Sequence, residues 1–220
     1  MSYINKKYWN DFYKIQRNLN ENSTFSEFVF EKIENNSKKY LIVDLGCGTG
    51  KDSFYFSAKG ISVVGIDGAE EVIKINKDKI SGSKKNLIDF KCVDLSNKAE
   101  VRQILKGLNE LAKNSSKEII LYNRFFLHAI PEEVEDMLFS EIEKNISVPY
   151  FIMAEFRTKE DEKLEKTYNN HYRRYIDTDL FLKKVLDLEW SVWELLKGRG
   201  LSIYKSEDPY LGRMIIRNDK

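Results

Sequence analysis

From Tyr40 onward, short apolar runs alternate with longer polar stretches. The runs fall at 40–45, 61–66, 87–93, 118–123 and 149–155, and each is followed by a segment of helical texture. Apolar runs of this length read as buried strands, and strands alternating with helices imply right-handed crossovers and a parallel sheet. The tail departs from this rule. A helix expected over 177–187 is followed by two strand segments, 191–197 and 212–218, with no helix between them. That order predicts an antiparallel hairpin at the end of the sheet, joined by a long polar loop. Before Tyr40 the texture is helical: Tyr8, Trp9, Phe12 and Tyr13 mark one segment, and Phe25, Phe28, Val29, Phe30 and Ile33 a second, behind a cap at Ser23-Thr24. The organisation expected is a helical lid or cap over 1–38 and one α/β domain over 39–220. The Lys-, Asn- and Glu-rich stretches 74–86 and 156–170 are expected as solvated surface.

A chain of 220 residues buries one sizeable core. Lys plus Arg (36) and Asp plus Glu (35) nearly cancel, which argues against nucleic acid or an anionic membrane as the main partner. The two cysteines, Cys47 and Cys92, belong to no metal-ligand cluster and are expected as reduced, buried thiols. No stretch approaches the roughly 20 apolar residues of a membrane span, and no apolar core follows the N-terminal lysines. The expectation is a cytoplasmic protein, monomer or homodimer, without membrane insertion.

The chemistry concentrates at Asp44-Leu45-Gly46-Cys47-Gly48-Thr49-Gly50, where an apolar strand ends in an acid and turns through three alternating glycines into a helix. Such glycines permit positive φ and close approach of a ligand to the backbone, although a structural turn needs them equally. The spacing is not the GxGxxG of a dinucleotide fold, and a carboxylate at Asp44 repels a pyrophosphate while suiting a cationic ammonium. A second strand ends in Asp67, placed to grip a ribose diol. A third runs into Asp94, able to accept from the exocyclic amine of adenine, with Leu95 placed to pack on the ring.

Residues 41–95 resemble the cofactor half of class I S-adenosylmethionine-dependent methyltransferases, with Asp44 and the glycines as the first motif, Asp67 as the ribose acid and Asp94 as the adenine acid. The resemblance implies a Rossmann-like, seven-stranded, mostly parallel sheet in the order 3-2-1-4-5-7-6 with strand 7 antiparallel. It implies S-adenosylmethionine as cofactor, S-adenosylhomocysteine as product, and cofactor contacts from Asp44, Gly46, Cys47, Gly48, Gly50, Asp67, Gly68, Asp94, Leu95 and Asn123.

Ligands of open α/β sheets sit beyond the carboxyl ends of the strands. On that edge the fourth strand runs into Asn123-Arg124-Phe125-Phe126-Leu127-His128. His128 is the candidate general base for a hydroxyl acceptor; the alternative is a histidine that hydrogen-bonds within a turn. Arg124, Arg157, Arg173 and Arg174 together suggest a phosphorylated or nucleotide-linked acceptor, and the alternative is pairing with Glu155, Glu207 and Asp208. His171 and Tyr13 are further candidate acceptor contacts. The larger pattern, from the aromatic 8–13 segment through 124–130, 154–158 and 171–177 to Glu207-Asp208-Pro209, resembles methyltransferases of bacterial capsule and lipopolysaccharide biosynthesis, including a branch that O-methylates a phosphoramidate. No metal-ligand spacing is present, so metal-independent transfer is expected. The competing readings are an NAD-type oxidoreductase on the same architecture and a catalytically silent interaction module.

Overall fold

The computed structural model describes residues 21–81, 86–164, 166, 172–204 and 206–218. Five parallel strands, β1 (Tyr40–Leu45), β2 (Ser62–Asp67), β3 (Ile88–Cys92), β4 (Glu118–Arg124) and β5 (Tyr150–Arg157), are joined by a hairpin of β6 (Ser191–Gly198) and β7 (Leu211–Asn218). The order is β3-β2-β1-β4-β5-β7-β6, with β7 antiparallel to both neighbours. Both the parallel body and the antiparallel ending match the expected topology. No helix among the described residues is long and apolar enough to cross a membrane.

Six helices cover the sheet among the described residues: α1 (Thr24–Ile33), α2 (Lys51–Ala58), α3 (Glu70–Asp78), α4 (Lys98–Asn114), α5 (Glu132–Asn145) and α6 (Thr178–Asp187). Successive strand residues face opposite sides, which divides the core in two. Leu41, Val43, Leu45, Leu121 and Ile152 pack with residues of α4, α5 and α6. Ile42, Tyr122, Phe151, Met153 and Ile215 pack with Phe25, Val29 and Ile33 of α1, Phe56 of α2, and Val72 and Ile73 of α3. Ser23 caps α1 as expected, its hydroxyl accepting from the Ser26 amide at 3.0 Å. Tyr8, Trp9, Phe12 and Tyr13 lie outside the described residues.

Two surface expectations are corrected. Within 156–170, Phe156, Arg157, Thr158 and Asp161 are buried, because β5 extends to Arg157 and the following turn folds its polar groups into an ion-pair network. Cys92 is exposed rather than buried. It ends β3, an edge strand with a neighbour on one side only.

Candidate cofactor and acceptor site

The glycine turn is fastened to the end of β2 from below. The amides of Gly46 and Cys47 both donate to the Ile66 carbonyl, at 2.8 and 3.0 Å. The Gly48 amide donates to Asp67 Oδ2 at 3.0 Å, and Asn76 Nδ2 of α3 donates to the Gly48 carbonyl at 2.7 Å. Gly46 and Gly50 take φ of +74° and +73°, and a Cβ at either would strike an aromatic ring, that of Phe126 at 2.7 Å or that of Phe90 at 2.9 Å.

Asp44, 3 % exposed, accepts from Ser53 Oγ at 2.5 Å. Burial, reinforced by Asp52 and Asp67 against the Ser53 bond, pushes its carboxyl up to about 7. Asp67 is also raised by burial, while the amides of Ala69 and Gly48 restrain the shift. Asp94 is partly exposed at the end of β3; despite some desolvation, the hydroxyl and amide of Ser96 hold it below its ordinary value. Leu95 is buried in the core cluster with Val93 and Val101. Gly68 leaves ordinary van der Waals space for a Cβ, 3.5 Å from the Val93 carbonyl. Cys47 is partly buried, and desolvation raises its thiol. Asn123, 1 % exposed, donates to the Leu121 carbonyl at 3.0 Å, and its Oδ1 has no partner among the described residues. An orphaned buried acceptor of this kind at a strand end suits a ligand donor.

Several polar residues that the motif reading passed over organise this loop. Asp52, in the first turn of α2, accepts from the Ser23 amide at 2.7 Å, from Ser23 Oγ at 2.8 Å and from Tyr122 OH at 2.8 Å. Asp44 and Tyr122 are register partners across β1 and β4, so this network joins the start of α1 to the loop. A sequence signal existed. Asp52 stands four residues before Phe56, on its helix face, and Asn76 interrupts the buried stripe Val72-Ile73, so both are polar residues in line with apolar ones.

At the acceptor edge, Arg124, Glu155 and Arg213 are cross-strand neighbours on β4, β5 and β7. Glu155 accepts from Arg213 Nε at 2.7 Å and lies 3.4 Å from Arg124 Nε. Arg124 stacks on Phe125 at 4.5 Å. Phe125 turns the chain at the end of β4 with φ of +55°, a left-handed conformation uncommon for a bulky residue and typical of strained functional corners. His128, 4 % exposed in the following 3-10 turn, packs at 5.3 Å against Phe125. Its Nδ1 accepts from the Arg157 amide at 3.1 Å. A neutral ring so engaged carries its proton on Nε2 and is a donor there.

The arginines divide. Arg157 is held by Asp161 at 2.6 Å and by Glu207, and Arg174 by the fully buried Glu135 and by the Leu127 carbonyl at 3.4 Å. Arg157 with Glu207 and Arg124 with Glu155 follow the pairing alternative, whereas Arg174 pairs with a carboxylate outside it. Arg173 is half-buried beside them. Asp208 pairs with Arg199, 3.4 Å away, rather than with any of the four. His171 and Tyr13 lie outside the described residues.

Residues 42–144, a little under half the chain, match a family model described as a methyltransferase domain; the segment runs from β1 into α5. No curated protein matches the sequence. Among solved structures, a SAM-dependent methyltransferase from Anabaena variabilis superposes with a TM-score of 0.71 at 15% identity, covering 97% of this chain and 93% of that one. Magnesium protoporphyrin IX methyltransferase from Synechocystis, with bound SAM, gives 0.55 at 16% identity over 87% and 77%. A cyclase, SpnF, gives 0.61 at 12% identity over 88% and 79%. The chain has the Rossmann-like fold of the S-adenosylmethionine-dependent methyltransferases. Because a cyclase shares the fold, the reaction has to be argued from the site.

Proposed function

We propose that this chain is an S-adenosylmethionine-dependent methyltransferase that methylates an oxygen of a small acceptor at the carboxyl ends of β4 and β5. One observation carries the reading: a carboxylate, Asp44, is buried beneath a glycine turn at a proton affinity near neutrality. A dinucleotide pyrophosphate worsens that burial, whereas an ammonium relieves it. The cofactor, when bound, supplies a sulfonium methyl. Asp44 and the loop 46–50 hold its amino-acid end, Asp67 the ribose, and Asp94 with Gly68 and Leu95 the adenine, while the orphaned Oδ1 of Asn123 receives a donor. Catalysis is then chiefly proximity and orientation.

On the acceptor side His128 is the catalytic candidate. With Nδ1 committed to the Arg157 amide, its first role is to orient the acceptor oxygen through Nε2–H, and a role as proton acceptor requires release of that amide. The anionic character proposed for the acceptor rests on the motif resemblance, since Arg157 and Arg174 serve the framework and Arg124 lies beside Glu155. A setting in bacterial surface polysaccharide synthesis, with a nucleotide-linked sugar or phosphoramidate as acceptor, rests on motif resemblance. The test is twofold. S-adenosylhomocysteine, and not NAD, raises the melting temperature, by the equivalent of about 2.7 kcal/mol at a hundredfold excess over Kd. Labelled methyl from the cofactor then appears on one class of a panel of nucleotide-linked sugars and phosphoramidates. Stabilisation by NAD alone overturns the reading.

A further inference from the structure

The turn that carries His128 is held by one short segment, 174–176. The Arg174 amide donates to the His128 carbonyl at 2.7 Å, and the Arg174 guanidinium reaches the preceding carbonyl, that of Leu127, at 3.4 Å. Two residues on, the Ile176 amide donates to the Arg157 carbonyl at 3.0 Å. Arg157 is also the residue whose amide donates to Nδ1 of His128, at 3.1 Å. Main chain and imidazole are thus closed into one circuit, from the His128 carbonyl to Arg174, from Ile176 to Arg157, and from Arg157 back to the His128 ring. An imidazole whose Nδ1 accepts an amide is confined to the neutral tautomer with its proton on Nε2.

This circuit has an anchor in the body of the domain. Glu135 of α5, fully buried, accepts from the Arg174 guanidinium and, at 2.8 Å, from Lys184 of α6. Glu132, 3.8 Å from the same guanidinium, is mostly exposed and a weak second partner. A buried ion pair returns little net stability over apolar packing of equal volume, and its best-attested use is to fix which groups meet. The two cations on Glu135 differ in this respect. Lys184 joins α6 to α5, whereas Arg174 also grips the two successive carbonyls of the turn 127–128.

We infer that Glu135 and Arg174 are positioning residues for His128: through the circuit they hold Nδ1 against the Arg157 amide and keep the ring proton on Nε2, the form that donates to an acceptor oxygen. The inference rests on the methyltransferase reading, which supplies that acceptor. It gives Arg174, expected as an acceptor contact, a part in the reaction exercised through the imidazole instead.

The test reads the imidazole itself. The chain has two histidines, so labelling histidine with nitrogen-15 gives two sets of ring signals in NMR spectra, and His128→Asn assigns those of His128. At a pH where the ring is neutral, the wild type is expected to show one tautomer, with Nε2 protonated and Nδ1 bare. Arg174→Met and Glu135→Gln are expected to shift the tautomer ratio toward the Nδ1 form on the order of fivefold to tenfold, the equivalent of one lost hydrogen bond, with partial recovery in Arg174→Lys. Lys184→Met removes the other cation on Glu135 and should lower the melting temperature while leaving the His128 signals in place. Arg174→Met leaves Glu135 its lysine, so this variant decides alone where Glu135→Gln does not fold. An unchanged ratio in Arg174→Met overturns the inference, as does an equal change in Lys184→Met or a wild-type proton on Nδ1. Melts with S-adenosylhomocysteine and NAD on the wild-type sample stand apart: stabilisation by NAD alone overturns the methyltransferase reading, and the acceptor with it, whatever the tautomers show.

Discussion

The carboxyl of Asp44 links cofactor affinity to pH. Its folded value, about 7 against an ordinary 3.8, means that between those two values the folded chain retains a proton that the unfolded chain has released. Stability therefore falls as pH rises through this window and is level above it. At about 1.4 kcal/mol per unit, the group contributes a loss of about 3 kcal/mol between pH 5 and pH 8. An ammonium beside the ionised carboxylate reverses this preference, so binding the cofactor expels the proton. S-adenosylhomocysteine affinity should rise about twentyfold from pH 5.5 to 7.5, then level off until the ligand's own ammonium deprotonates. Asp44→Asn removes both effects. Calorimetric titrations across this range give the affinities, and urea melts of both proteins give the stabilities. The variant should bind S-adenosylhomocysteine weakly and without slope, and its stability relative to wild type should grow by about 3 kcal/mol between pH 5 and pH 8. An affinity that is flat in wild type, or that slopes equally in Asp44→Asn, refutes this account of the acid.

Exchanging His128 for Asn, which keeps a donor, and for Ala, which does not, separates its two roles in steady-state assays. An orienting donor leaves Asn well above Ala, whereas a general base leaves both equally slow, with S-adenosylhomocysteine affinity unchanged throughout. Asp161→Ala strips Arg157 of one of its two carboxylates in a buried setting, and should cost about 3 kcal/mol in a denaturant melt; a loss below about 1 kcal/mol would return Arg157 to ligand recognition. Tyr122→Phe removes one of three donors to Asp52 and should destabilise by about 1 kcal/mol, with weaker S-adenosylhomocysteine binding if the network holds the loop; unchanged affinity confines it to packing.

The parts of this molecule that were legible in the chain are those governed by local pattern. The run 61–66 became Ser62–Asp67, and the pair 191–197 and 212–218 became Ser191–Gly198 and Leu211–Asn218. Burial on both faces makes central strands continuously apolar, so their positions survive any choice of partner. The division of the arginines was not legible, because it depends on distant carboxylates: Glu207 lies fifty positions from Arg157, and Glu135 thirty-nine from Arg174. Asp52 and Ser53 escape the motif because it ends at Gly50, although the turn of helix after it carries the groups that bond Asp44 and the Tyr122 hydroxyl.

The ring of Phe90 meets the space of both Gly50 and Gly65, at 2.9 and 2.5 Å from where a Cβ would stand, and Phe126 does the same at Gly46. These glycines answer to the core whether or not a ligand ever arrives. A descendant that had abandoned catalysis would keep them, since its packing would still demand them. It would also gain stability by discarding Asp44, whose burial opposes folding at neutral pH and above. The glycines mark ancestry, and the acid that persists against its own folding cost marks use.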